Sequence, residues 1–244
     1  MCIRDRDIRG GTPQELTNWL WDFDAHPMDQ SERDDTSTLR ASSKGFQGHL
    51  HKTDDFLHAN PFGTVPTAFS PDGEVGIFES NSIMRAVARL GEQQKALYGN
   101  DVYTAARIDA FLDTSLVFAL ESQRYIFALA GKGALVEEHA RMSTAFDVYL
   151  NGIEVALSEG HRFIVGSRMT LADICFACEL ILFSLERHES AQLDQVGLAP
   201  IWTSSQVADY GRSHGHFEQL LDHPAFAADA KPYYEQMTLG AIFS

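Results

Sequence analysis

Glu79 and Ser80 stand at the front of an amphipathic run, "FESNSIMRAVARLG". Ser80 is placed as a helix N-cap, and a helix N-terminus attracts carboxylates through unpaired N–H groups and the peptide dipole. Glu79 beside it offers a partner for an ammonium. Together the two could hold the –NH3+/–COO− end of an amino acid. Plain capping explains the pair as well: Ser80 would satisfy backbone N–H groups and Glu79 would stand in solvent. Upstream, "NPFGTVP" places Pro66 at the head of a predicted strand. Proline there is tolerated on an edge or in a special geometry. One such geometry is a cis Val65–Pro66 bond, which would turn the Val65 main chain outward, where its N–H and C=O can grip an extended peptide. A trans bond on an edge strand is the plainer alternative.

Other candidate chemistry is weaker. "CFAC" has redox spacing, but Cys175 and Cys178 lie beyond the first turn of an apolar predicted helix, away from the terminus that lowers a thiol pKa. No second cysteine pair exists for zinc, so both read as buried core thiols, and no metal site is expected. His214, His216 and His223 cluster in "RSHGHFEQLLDH" without a carboxylate ladder, and read as the start of a surface helix.

The totals agree with a globular chain. Its 244 residues are 44% apolar and 22% charged, with a net charge of −15. That charge argues against nucleic acid or an anionic membrane as partners. Three cysteines make no disulfide framework, and a reducing, cytoplasmic compartment fits. No run is long and apolar enough for a membrane helix.

Residues 1–40 read poorly as domain sequence: "MCIRDRDIR" has no apolar period, and only "LTNWLWDF" looks core-like. They are expected to be atypical, either disordered or a non-native scar. Residues 41–91 carry sharper signals. Thr53 is a predicted N-cap with Asp54 and Asp55 in the first turn. "VPTAF" and "VGIF" flank the turn "SPDGE" and predict a β-hairpin. Ile83, Ala86, Val87 and Leu90 mark one helix face, which Gly91 ends. Residues 100–238 are helical throughout. Ile108, Phe111, Leu112, Leu116 and Leu120 are expected to be buried. So are Leu135, His139, Met142, Phe146, Tyr149, Ile153 and Leu157. "TLADICFACELILFSLE" is apolar nearly all round, as a central helix would be. Thr170 and Asp173 form a predicted capping box, with Met169 and Ile174 as its hydrophobic staple. The fold class is α+β, a βα part followed by an all-helical part, with the boundary at residues 90–101.

Taken together, "TDDFLHANPFGTVPTAF", "GIFESNSIMRAVARLG", "LYGNDVYTAARIDAFLD" and "FIVGSRMTLADI" resemble the glutathione S-transferase superfamily. The resemblance runs from about residue 45 to 236. It implies a thioredoxin-like N-terminal domain whose first strand and helix are unclear here, followed by the helical domain. It implies glutathione as co-substrate. A cis bond at Pro66 and the Val65 main chain would hold the cysteinyl unit, and Glu79 and Ser80 the γ-glutamyl end. Lys52 or His51 would reach the glycyl carboxylate. Tyr103, Arg107 and Phe111 would line the seat of a small hydrophobic electrophile, in a homodimer built on the helix after Glu79 and the first helix of the second domain. A thiol-activating Tyr, Ser or Cys belongs after the first strand. Cys2, Ser31, Ser37, Ser42 and Ser43 are available, but none has that context. "FQGHLHKTDDFL" and the motifs after it also resemble the transferase-like domain of the elongation factor 1 gamma family. That likeness implies a non-enzymatic interaction module with translation-factor partners.

Overall fold

The computed structural model describes residues 9–42, 46, 48–91, 96–131, 134–203 and 208–239. The chain divides into two compact units, residues 1–93 and 94–244.

The first unit is built on a four-stranded mixed sheet. Strands β1 (Trp19–Trp21), β2 (His26–Pro27), β3 (Leu39–Ala41) and β4 (His49–Lys52) lie in the order β2-β1-β4-β3. β1 and β4 are parallel, and the two outer strands are antiparallel to their neighbours. Pro27 cannot donate to a ladder and sits on an edge, as its chemistry requires. Residues 1–40 were expected to be atypical, yet the stretch from Pro13 to Ala41 supplies three of these four strands and, before them, the helix α1 (Pro13–Leu16). The reason is Trp21: together with Leu50 and Phe56 it forms the core, with Leu16, Trp19, Phe46, Leu57 and Phe69 packed around it. The first eight residues lie outside those described.

The β1–β4 crossover carries the short helix α2 (Gln30–Asp34), whose N-cap Asp29 forms a capping box with Glu32. After β4, Thr53 caps α3 (Asp54–Ala59) by accepting from the Phe56 N–H, as read from sequence. The predicted hairpin is present as β5 (Thr67–Phe69) and β6 (Gly76–Phe78). Gly76 is required there, because a Cβ would stand 2.2 Å from the Ala59 carbonyl oxygen. Helix α4 (Ser80–Leu90) follows and ends at Gly91, with Leu90 exposed rather than buried.

The second unit is helical. It comprises α5 (Val102–Leu129), α6 (Leu135–Ala156), α7 (Leu171–Phe183), α8 (Ser190–Gln195), α9 (Gly211–Leu221), α10 (Pro224–Ala227) and α11 (Ala230–Leu239). On α6 the expected residues Met142, Phe146, Tyr149 and Ile153 are buried. On α5 the expected face is out of phase. Ile108 and Leu112 are buried, but the stripe continues through Ser115, Phe118, Ser122 and Tyr125. Leu116 and Leu120 are 45% and 52% exposed. Two serines on the buried side misled the apolar count. Ser115 is accommodated by donating to the Leu112 carbonyl at 2.7 Å.

Three carboxylates tie loops and helix ends to this bundle. Asp173 completes the predicted capping box at α7, accepting from the N–H and hydroxyl of Thr170. It also accepts from the Ile164 N–H at 2.9 Å and from His216 Nε2 at 2.8 Å. His214 and His216 are therefore not on a surface helix start: both are buried, and His223 caps α10. Glu186, fully buried, accepts from the Tyr125 hydroxyl and from the N–H groups of Ile201 and Trp202. Burial raises the Tyr125 phenol, which keeps it a donor. Glu154 of α6 accepts from the N–H groups of Arg212 and Ser213, capping α9 from outside. Cys175 is buried as expected, while Cys178 is exposed.

Replacing Asp173 with Ala leaves four donors unmatched and is expected to cost on the order of 3 kcal/mol by chemical denaturation; an unchanged midpoint would refute the anchoring role. A second expectation concerns Glu179 on α7. Its Oε2 is enclosed without a donor among the described residues, and burial pushes its carboxyl up to about 7. A carboxyl that binds its proton more tightly folded than unfolded stabilises the fold fully below its ordinary value. That contribution is lost as pH rises toward the folded value. Glu179→Gln should therefore gain on the wild type between pH 4.5 and 8, by about 1–2 kcal/mol after discounting partial exposure. Parallel pH–stability curves for the two proteins would contradict this.

Candidate functional site

The hairpin register brings the two sequence motifs to one place. Thr67 faces Phe78 and Ala68 faces Ile77. Continued outward, that antiparallel pairing sets Val65–Pro66 beside Glu79–Ser80 at the open end of β5–β6. The Val65–Pro66 bond is cis. Val65 is 42% exposed, and no described group bonds its N–H or C=O.

At the helix mouth, one detail differs from the sequence reading. The N-cap is Glu79, not Ser80, and Ser80 is the first helical residue. Glu79 has φ +67° and ψ 128°, and its side chain makes no capping bond. Such a backbone is strained for any residue with a Cβ, by about 1–3 kcal/mol. The consequence is an uncapped helix start with both Glu79 and Ser80 exposed beside it. A helix N-terminus and its dipole suit an anion, and the glutamate suits a cation.

The loop before Val65 is tied from inside. Asn60 is fully buried; its Nδ2 donates to the Thr64 carbonyl and to Thr67 Oγ1, both at 2.8 Å. Its Oδ1 accepts from the Phe62 N–H at 3.2 Å. Lys52 is buried too, with Nζ donating to the Gly63 carbonyl at 2.6 Å, and burial lowers its pKa. His51 pairs with Thr38 Oγ1 instead of facing the loop.

The remaining expected residues separate. In the helical unit, Arg107 sits 4.8 Å over the Phe111 ring, and both line a cleft of about 230 Å³ with Thr114, Val148, Tyr149 and Ile153. Tyr103 is 85% exposed and lies outside that cleft. The end of β1 offers no thiol-activating group: Asp22-Phe23-Asp24-Ala25 follows Trp21. Asp22 Oδ1 is already engaged by Thr53 Oγ1 and the Phe23 N–H. Ser31 donates to the α2 cap Asp29 and Ser42 to the Phe46 carbonyl. Ser37 belongs to a 3-10 turn, and Cys2 and Ser43 lie outside the described residues.

Comparison with known proteins agrees with this architecture. Among solved structures, glutathione S-transferase isozyme E7 of Drosophila melanogaster superposes with a TM-score of 0.57 and 22% identity, covering 77% of this chain and 76% of that one. The chain has the glutathione S-transferase fold. By sequence, this transferase-fold chain is 29% identical over 188 residues to elongation factor 1-gamma 1 of Oryza sativa subsp. japonica, covering 75% of the chain and 40% of that protein. It thus spans less than half the length of that relative. It is also 33% identical over 138 residues to glutathione S-transferase 3 of Zea mays, covering 50% of the chain and 57% of that enzyme. No protein-family model matches. Between β1 and β4 the chain runs through β2, α2 and β3, which no period in the sequence announced.

Glu79→Gly tests the strain at the helix mouth. Glycine accepts a positive φ without penalty but loses more chain entropy, so a net gain of about 1 kcal/mol is expected. Ligand capture should weaken in the same variant. A destabilised Glu79→Gly protein in thermal melts would show the backbone to be relaxed there.

Proposed function

We propose that this chain binds glutathione at the open end of the β5–β6 hairpin and conjugates its thiol to a small hydrophobic electrophile. The observation that carries the proposal is the register: it sets an unbonded Val65 main chain beside an uncapped helix start. The Val65 N–H and C=O would pair with the cysteinyl unit as an added strand does. Ser80 and the first-turn amides would receive the γ-glutamyl carboxylate, and Glu79 its ammonium. The Arg107–Phe111 cleft is the proposed seat of the electrophile. No metal enters the scheme. A homodimer in the cytoplasm, serving detoxification, completes it; exposed Leu116, Val117 and Leu120 on α5 support self-association.

A second reading has its own support. The elongation factor 1-gamma relatives, together with Asp22 where an activating hydroxyl or thiol belongs, favour a non-enzymatic interaction module that recruits translation-factor partners. Retention on immobilised glutathione and turnover of 1-chloro-2,4-dinitrobenzene separate the two. Conjugation is expected, with Ser80→Ala reducing it about tenfold, the worth of one charge-assisted hydrogen bond. Retention without turnover would leave binding and remove the enzyme. Neither retention nor turnover would remove both parts of the proposal.

A further inference from the structure

We propose that Lys52 and Asn60 are positioning residues that hold the 60–66 loop in the shape that leaves the Val65 main chain open. The inference rests on reading that main chain as the glutathione grip. It reassigns Lys52, which the family resemblance would aim at the ligand's glycyl carboxylate.

The pleat of β4 explains how a lysine comes to be inside. Alternation sends Leu50 and Lys52 to one face, and both are buried, at 1% and 4% exposure. The ammonium lies 4.8 Å from the Trp21 ring centroid and donates to the Gly63 carbonyl. Burial lowers its pKa, and no carboxylate pairs with it among the described residues. Burying an ammonium without a counter-ion is unfavourable, and a methionine would fill the space without that penalty. What the lysine adds is a strong donor to one loop carbonyl. Gly63 turns that carbonyl toward it at φ +56°; a Cβ there would stand 3.0 Å from Leu57 Cδ2 and 3.2 Å from Lys52 Nζ.

Asn60 serves the rest of the loop. Its side chain takes the Thr64 carbonyl and the Phe62 N–H, and its own carbonyl takes the Gly63 N–H at 2.8 Å. The Thr67 hydroxyl, held by Asn60, also donates to Thr64 at 2.6 Å. The Phe62 N–H, both main-chain groups of Gly63 and the Thr64 carbonyl are thus bonded from within, whereas the Val65 N–H and C=O have no partner among the described residues. Prepaying loop order in this way strengthens a ligand's grip without touching the ligand.

Two measurements on the full chain test this. The first is amide hydrogen exchange of the free protein. Lys52→Met and Asn60→Ala should each speed exchange at residues 62–67 about tenfold, the equilibrium worth of one hydrogen bond, with residues 50–57 unchanged. Lys52→Met removes a buried charge and is expected to fold, so it remains informative should Asn60→Ala not fold. Unchanged loop exchange in Lys52→Met overturns the proposal, whether or not glutathione binds. The second is calorimetric affinity for glutathione and for γ-glutamylcysteine, which lacks the glycyl carboxylate. A positioning role weakens both ligands by the same factor, about tenfold. Loss for glutathione alone would return Lys52 to direct contact and refute the assignment. A wild type that binds neither ligand would sink the grip reading, while the exchange result still decides the clamp.

Discussion

A loop that offers its own main chain to a ligand must satisfy its other polar groups from inside the protein. Unpaired peptide groups near a core are unfavourable by about 1–3 kcal/mol each. Two buried side chains, Lys52 at the end of β4 and Asn60 just after α3, bond the Phe62 N–H and the Gly63 and Thr64 carbonyls of this loop. The hairpin register then does the rest. Because Thr67 pairs with Phe78, the freed Val65 edge and the start of α4 emerge together. The geometry at this end of the hairpin follows from the fit between loop, hairpin and helix start, not from any one side chain.

The helical unit obeys the same rule with different chemistry. Its long helices bury aromatic stacks such as Phe118–Tyr149 and Phe183–Trp202. The connections between helices carry backbone donors that those stacks cannot satisfy. Asp173, Glu186 and Glu154 do so, each receiving at least two backbone N–H groups. Those donors take the place of the water that burial removes. Glu179 Oε2 has no donor among the described residues, and burial pushes its carboxyl up to about 7.

Much of this was legible in the sequence because local chemistry announced it. Thr53 and Thr170 were visible as caps, the hairpin turn at Pro71-Asp72-Gly73 as a turn, and the α6 face by its spacing. What stayed hidden depends on partners far along the chain. His216 looks like a surface residue until Asp173, 43 positions away, is seen to meet it. Glu186 looks solvated until the 201–202 turn closes on it. Ser115 and Ser122 broke the apolar count on α5 and shifted the expected face. The N-terminal sheet was missed because its strands are two to four residues long, too short for alternation to register. At the candidate site the motifs were readable, but the positive φ at Glu79 was not: nothing in "FES" requires it, and only the junction of β6 with α4 imposes it.

The chemistry at the site is bounded by magnitudes. A helix N-terminus stabilises an adjacent anion by about 0.3–1 kcal/mol at an exposed position. One pKa unit is about 1.4 kcal/mol, so the mouth of α4 lowers a thiol from about 8.5 by less than one unit. That leaves most of the thiol protonated at neutral pH. The Thr53 hydroxyl beside the end of β1 is already bonded to Asp22 Oδ1, so thiolate formation is not where such a site gains rate. The gain would come from positioning the thiol for attack.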